Sequence, residues 1–289
     1  METRRRHIVQ LFFNPTAGSH CDERLAALRA GFEAHGARVL LAESGPGREI
    51  AISDEASHVC AIGGDGTIRH VAFALSRCGR ELPISVYPAG TVNLLHREIA
   101  SPRDPAGHAL RALGGDAACL HYAVEINDSI FLACASVGPD SRAVAMLSTA
   151  LKRRFGRLAY AIAFLRVLID WQRSAISLEC EGRTIECEAF YVAKGRFFAG
   201  PWSFAPGARR EQPLLHVVAL RDASRRAYAR FLWTLWRGGR VDALAGVTTL
   251  SCTSLDARAA MALPVQADGD IVAALPIRLR LRAEPMRFC

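Results

Sequence analysis

The stretch His58-Val59-Cys60-Ala61-Ile62-Gly63-Gly64-Asp65-Gly66-Thr67 passes from an apolar run into a glycine-rich loop, and the helix-like segment Thr67–Arg77 follows at once. A strand that ends in glycines and hands over directly to a helix is the repeating joint of open α/β sheets. Ligands bind those sheets beyond the carboxyl ends of the strands. Glycines let backbone amides come close to phosphate oxygens, and the helix N-terminus adds a field that favours anions. Asp65 stands inside this positive nest, where a carboxylate is expected to hold Mg²⁺ or to orient a hydroxyl. A tight turn with an aspartate cap would look the same in isolation, so the flanking segments have to decide.

Upstream, His7–Phe13 reads as a strand, and Leu25, Leu28 and Phe32 share one helical face before Gly36. Ala37–Ala42 reads as a second strand, followed by the turn Gly45-Pro46-Gly47 and an expected short helix. Downstream, Ile84–Tyr87 reads as a fourth strand. Strands spaced by helices predict a parallel, doubly wound sheet. Two more small-residue loops then fall on the edge that carries Gly63. Asn14-Pro15-Thr16-Ala17-Gly18 ends the first strand, and Pro88-Ala89-Gly90-Thr91-Val92-Asn93 ends the fourth. Each is a weak turn signal alone. Together they predict one phosphate site built from Asn14, Pro15, Gly18, Gly63, Gly64, Asp65, Gly66, Thr67, Gly90, Thr91 and Asn93.

After about Tyr122 the rhythm changes. Val124–Ala135 holds the turn Asn127-Asp128 between apolar runs, and Ser174–Lys194 holds a second pair of strands around Glu181-Gly182-Arg183. Leu214–Leu220, Val247–Ser254, Met261–Val265 and Ile277–Arg282 add strands, with helical stretches near 142–171 and 224–237. The expected fold is therefore α/β. Residues 1–122 form a doubly wound parallel-sheet nucleotide domain, and 123–283 form an antiparallel β-rich domain. The tail from about 284 to 289 is assigned to the first domain.

At roughly 100–200 residues per domain, 289 residues suit two cores. The longest apolar runs, such as Leu158–Leu165, fall well short of the roughly 20 residues needed to span a bilayer. The N-terminal segment has no small-residue cleavage site before Asn14-Pro15, so a cytoplasmic location is expected. The formal net charge of +8 suits an anionic partner. Of the 36 basic residues only Lys152 and Lys194 are lysines. No interleaved aromatic–basic motif or zinc-finger spacing points to nucleic acid, so none is expected as a partner. The nine cysteines show no CxxC spacing and read as small buried hydrophobes.

Other nucleotide folds are excluded by their missing motifs. There is no GxxxxGK(S/T), no GxGxxG, and no protein-kinase catalytic loop around Leu220-Arg221-Asp222. Asn14-Pro15-x-x-Gly18, Gly63-Gly64-Asp65-Gly66-Thr67 and Gly90-Thr91-x-Asn93, in this order, resemble the diacylglycerol kinase catalytic family, which includes bacterial lipid kinases and sphingosine kinases. The resemblance continues through Gly138-Pro139-Asp140, Lys152–Tyr160, Phe204-Ala205-Pro206-Gly207-Ala208 and Ala267-Asp268-Gly269-Asp270. It implies the two-domain architecture shared with NAD kinases, ATP as phosphoryl donor, Mg²⁺, nucleotide in the cleft and a lipid substrate held by the β domain. Asp270 matches the position of the base that takes the proton from the lipid hydroxyl, usually a glutamate. The alternatives are an NAD kinase-like enzyme, which shares GGDGT, and a nucleotide-binding regulatory protein without catalysis.

Three positions depart from the family pattern. Arg69 stands where an asparagine commonly follows the GGDGT loop, and Glu43-Ser44 stand near an expected threonine. Gln212, in Glu211-Gln212-Pro213, replaces the aspartate associated with a metal site in bacterial members. Pro213 and a pairing of Arg209 or Arg210 with Glu211 are the expected substitutes there. In Arg225–Arg237 a face of Tyr228, Phe231, Leu232 and Leu235 is flanked by Trp233, Trp236 and four arginines. Such a helix suits peripheral contact with an anionic membrane, although such a stripe more often simply covers the β core. A homo-oligomer stays open.

Overall fold

The computed structural model describes residues 7–15, 21–45, 47–114, 118–147 and 157–289, with the backbone alone for 157–161. Thr16, Ala17, Gly18 and Lys152–Gly156 thus lie outside the described residues. The chain divides into two compact units, 1–121 with 285–289, and 122–284.

In the first unit, runs of β-branched and large apolar residues make strands β1 (Ile8–Phe13), β2 (Arg38–Glu43), β3 (His58–Gly63) and β4 (Ile84–Pro88). They pair in parallel in the order β2-β1-β3-β4. The sheet is completed by β5 (Cys119–His121) and the C-terminal strand Met286–Phe288, labelled β18, which lies between β4 and β5. Helices α1 (Asp22–Ala34), α2 (Asp65–Arg77), α3 (Leu94–Ile99) and α4 (Pro105–Leu113) connect the strands. In α2, Ile68, Val71, Ala72 and Leu75 repeat at helical spacing and are all buried. Asp65 in its first turn and Arg77 in its last both complement the helix dipole. Asp104 caps α4 by accepting the Gly107 amide at 2.6 Å, with Pro105 following it.

The short helix expected after Gly47 does not form. Residues 48–57 run as irregular chain, because side chains from elsewhere take the backbone groups that a helix would pair internally. Gln10 Nε2 donates to the Ala51 carbonyl at 3.0 Å, and the Ser53 amide donates to Gln10 Oε1 at 2.8 Å. Arg80 donates to the carbonyls of Ser53 and Ala56 at 2.7 and 2.5 Å.

The second unit holds two antiparallel sheets. In chain order its strands are β6 (Val124–Ile126), β7 (Ser129–Phe131), β8 (Cys134–Val137), β9 (Ile176–Cys180), β10 (Arg183–Cys187) and β11 (Ala189–Ala193). Then follow β12 (Leu215–Leu220), β13 (Val247–Cys252), β14 (Ser254–Ala259), β15 (Pro264–Ala267), β16 (Asp270–Ala274) and β17 (Ile277–Leu281). The sheet orders are β10-β9-β14-β17-β6-β7 and β13-β12-β11-β8-β15-β16. One core joins residues of both, including Phe131, Val137, Leu178, Phe190, Val217, Leu255 and Leu279.

Among the described residues, the helical stretch expected near 142–171 includes α5 (Pro139–Ala145) and α6 (Arg157–Ile169). The later stretch is α7 (Arg225–Trp236), capped by Ser224. On α7 the face of Tyr228, Phe231 and Leu235 is buried, whereas Trp233 and Trp236 are 55% and 60% exposed. That helix therefore covers the core with one face and leaves two indoles and several arginines exposed on the other. No helix among the described residues is long and apolar enough to cross a membrane.

Candidate active site

Because β1, β3 and β4 are parallel and in register (Phe13 beside Ile62, Gly63 beside Pro88), Asn14-Pro15, the Gly63 loop and the Gly90 loop leave one edge of the sheet. The two glycine loops are locked to each other. The Ala89 amide donates to the Gly63 carbonyl at 3.0 Å. A methyl group at Gly90 would lie 2.4 Å from the Gly64 Cα, so the two backbones meet with no room for a side chain. At Gly63 a methyl group would lie 2.5 Å from both Cβ and Oγ1 of Thr67, which packs the first helical turn onto the strand end.

Asn93 and Asp65 complete the lock. Asn93 takes a left-handed conformation, φ 55°, and its amide group pairs with Gly90 in both directions. The Gly90 amide donates to Asn93 Oδ1 at 3.0 Å, and Asn93 Nδ2 donates to the Gly90 carbonyl at 2.8 Å. The two Asp65 oxygens accept the amides of Leu94 and Leu95 at 3.0 Å each. Asp65 thus begins α2 and caps α3 across the loop gap. The residue is half-buried, and a carboxylate is the donor type that suits a hard cation. Thr91 is exposed at the loop tip, Gly66 lies in the first turn of α2, and Arg69 is buried on that helix beside His70, 3.3 Å from its Nε2.

Asp270 belongs to the second unit and opens β16. It faces Ala267 across the two-residue turn Asp268-Gly269, whose φ values of 49° and 87° are those of a primed hairpin. Asp268, 5% exposed, is a residue the sequence reading passed over. Its Oδ2 accepts the Leu132 amide at 2.7 Å, and its Oδ1 accepts those of Ala133 and Cys134 at 2.8 and 3.2 Å. The Asp268 amide in turn donates to the Cys134 carbonyl at 3.0 Å. The first aspartate of the motif therefore anchors the hairpin, and Asp270, half-buried, follows the turn.

A buried polar chain sits under the same hairpin. The Ser136 hydroxyl lies between Asp140 Oδ2 at 2.5 Å and Gln266 Oε1 at 3.1 Å, and the Tyr191 and Tyr228 hydroxyls share a 2.6 Å hydrogen bond. Burial raises the Asp140 carboxyl above its ordinary range. Burial first, and the Asp140 charge second, push both phenols far upward. Gly138-Pro139-Asp140 thereby has a local explanation: the aspartate fixes Ser136, which fixes the strand that leads to Asp270.

A cavity of about 980 Å³ opens in the second unit, walled by Trp202, Phe204, Leu235 and Trp236 and rimmed by Arg196 and Arg240. Among the described residues no cluster of His, Cys, Asp and Glu could form a metal cage, and all nine cysteines are free, six of them buried.

Comparison with known proteins agrees with this construction in both units. Residues 9–122 match the diacylglycerol kinase catalytic domain, and 133–288 match the YegS C-terminal NAD kinase beta sandwich-like domain. A Pseudomonas aeruginosa strain PAO1 protein named as a probable lipid kinase, YegS-like, is 30% identical over 257 residues, 85% of this chain and 81% of that one. The diacylglycerol kinase of Bacillus subtilis strain 168 is 23% identical over 243 residues, 81% of this chain and 80% of its own. A crystal structure of a diacylglycerol kinase from Bacillus anthracis Sterne superposes with a TM-score of 0.77 at 16% identity, covering 99% of this chain and 98% of that one, which shows the shared fold. With both domain models matched in order across nearly its whole length, the chain belongs to the lipid kinases of the diacylglycerol kinase catalytic family, in the form that carries the YegS C-terminal domain.

Proposed function

We propose that this protein transfers the γ-phosphoryl group of ATP, with Mg²⁺, to a hydroxyl of diacylglycerol, a sphingoid base or a related neutral lipid. The observation that carries the reading is the double lock of the Gly63 and Gly90 loops through Asp65 and Asn93. It holds two glycine-rich loops in fixed positions at one sheet edge. Phosphoryl transfer depends mostly on positioning and on stabilising charge, and a rigid amide cradle supplies both.

In this reading Asn14, Pro15, Gly18, Gly63, Gly64, Gly66, Thr67, Gly90, Thr91 and Asn93 hold the phosphates. Asp65 is the carboxylate that shares Mg²⁺, which when bound neutralises charge on the phosphates. The Asp270 carboxylate accepts the proton of the lipid hydroxyl. That oxygen forms its bond to the γ-phosphorus as the bond from the γ-phosphorus to the β,γ-bridging oxygen breaks, and ADP leaves. The cavity in the second unit combines aromatic walls with a polar, arginine-bearing rim, which supports an amphiphilic acceptor. The exposed Trp233 and Trp236, with Arg226 and Arg237, support transient contact with an anionic membrane where such lipids reside.

Incubation with labelled ATP and Mg²⁺ over a panel of diacylglycerol, sphingoid bases, monoacylglycerol, isoprenoid alcohols and NAD, followed by chromatography, tests the assignment. Label is expected in at least one lipid and not in NAD. Label in NAD alone would establish the NAD kinase reading, and ATP binding with no labelled product would establish the regulatory one.

A further inference from the structure

Lys194 follows β11 and is wholly buried, 0% exposed. Its Nζ donates to the carbonyls of Arg209 and Gln212 at 2.9 and 2.7 Å, and lies 5.9 Å from the centre of the Tyr122 ring. The segment it meets is a tight turn. The Gln212 amide donates to the Arg209 carbonyl at 3.2 Å, and the Leu214 amide to the Gln212 carbonyl at 2.9 Å. The Arg210 carbonyl between them accepts the Tyr122 amide at 3.1 Å, and Tyr122 is the residue at which the second unit begins. Two carbonyls of one short turn thus converge on a single nitrogen, and the Tyr122 amide holds a third.

This is the turn in which Gln212 stands where the family resemblance implies a metal-associated aspartate. Of the substitutes expected there, Arg209 is engaged elsewhere. Arg209 turns its guanidinium to the carbonyls of Pro206 and Ala208, 3.0 Å each, rather than to Glu211.

We propose that the Lys194 side chain is a built-in cation that organises the Arg209–Gln212 turn in place of a divalent metal. Two converging carbonyl dipoles and an aromatic face surround the Lys194 nitrogen. The choice of residue is itself informative, since only two of the chain's 36 basic residues are lysines. A planar guanidinium spreads its donors in a fork, whereas a compact ammonium fits the single point between two carbonyls. A divalent ion brought to the same carbonyls would meet the ammonium charge at close range, and the neutral Gln212 amide offers no compensating charge. The turn therefore neither needs nor accepts Mg²⁺, whichever lipid the enzyme phosphorylates.

Thermal unfolding without nucleotide tests this. Wild-type melting in millimolar Mg²⁺ and in chelator should agree within about 1 °C, and the Gln212 and Leu214 amides should exchange at the same rate in both. Lys194→Met removes the charged donor that the Arg209 and Gln212 carbonyls share and should lower the melting temperature by roughly 5 °C or more. Lys194→Met combined with Gln212→Asp should recover part of that loss in Mg²⁺ alone, whereas Gln212→Asp alone should not respond, because the new carboxylate pairs with Lys194. A wild-type melting temperature that climbs several degrees with Mg²⁺ alone would overturn the proposal, as would a Lys194→Met protein as stable as wild type. If Lys194→Met does not fold, the wild-type melting and exchange comparison decides the matter by itself.

Discussion

Gly64 and Gly90 approach so closely that a methyl group on Gly90 would stand 2.4 Å from the Gly64 Cα. The contact is backbone against backbone, so no side chain can rotate away to relieve it. Gly90→Ala should therefore separate the two loops, cost about 1–3 kcal/mol of stability and weaken ATP binding. Gly207→Ala, where a methyl group meets nothing within 4 Å, is the control and should stay within about 0.5 kcal/mol of wild type. Calorimetric ATP titration and melting of both variants check this, and equal ATP affinity in Gly90→Ala would count against the locked cradle.

Asp65→Asn keeps the size of the side chain and removes its symmetry as an acceptor. An amide offers one oxygen and one NH₂, so one of the Leu94 and Leu95 amides would face a donor instead of an acceptor. The unsatisfied group should cost about 1–3 kcal/mol. Loss of the carboxylate should also remove nearly all turnover. A variant with wild-type melting but no turnover would confine Asp65 to chemistry, and one with reduced melting but full turnover would confine it to structure.

How much of this was legible in the sequence follows from where each residue's partners lie. The parallel sheet and its loops could be read because a strand ending in glycine before a helix is a local signal, as at Gly63 and Gly64. Hairpins could be read for the same reason, as at Glu181-Gly182, where both residues have positive φ. Asp268 and Lys194 could not be read in that way. The partners of Asp268 are 134 to 136 residues distant, and those of Lys194 are 15 and 18 residues distant across irregular chain. The helix expected after Gly47 fails on similar grounds, since Gln10, 41 and 43 residues away in sequence, claims that backbone. In the motif Asp268-Gly269-Asp270 one aspartate is structural, and only the fold tells which.

The pH dependence of stability should carry the mark of His108. Burial against Phe32, Tyr87 and Cys60 pushes its pKa down to about 4 from an ordinary 6.5. A lowered histidine contributes stability that is fully present above its unfolded pKa and lost as pH falls toward the folded value. Between pH 6.5 and 5 its contribution should fall by about 1.5 kcal/mol. Denaturant melts of wild type and His108→Gln from pH 7.5 to 5 should therefore converge as the pH drops. Parallel profiles would show that His108 does not titrate on unfolding.

The exposed face of α7 makes a membrane prediction. The Trp233 and Trp236 rings lie 5.1 Å apart, and the Arg237 guanidinium sits 5.5 Å from the Trp233 ring. Sedimentation with anionic vesicles should be reversible and should weaken as the screening length falls from about 10 Å at 0.1 M salt to 3 Å at 1 M. Trp233→Ala with Trp236→Ala should lower vesicle binding several-fold and leave melting unchanged, because both indoles are exposed. Equal sedimentation with neutral and anionic vesicles at every salt concentration would contradict this.

The most direct measurement of the central claim uses two labels on the donor. With ATP labelled at the γ-phosphate, the neutral lipid that serves as acceptor should gain label in step with ADP formed, and with ATP labelled at the α-phosphate it should gain none. Asp270→Ala should slow that gain by about 10²–10⁴-fold while calorimetric ATP affinity stays at the wild-type value. ADP formed with no label in any lipid, or an Asp270→Ala enzyme that labels lipid at the wild-type rate, would contradict the account.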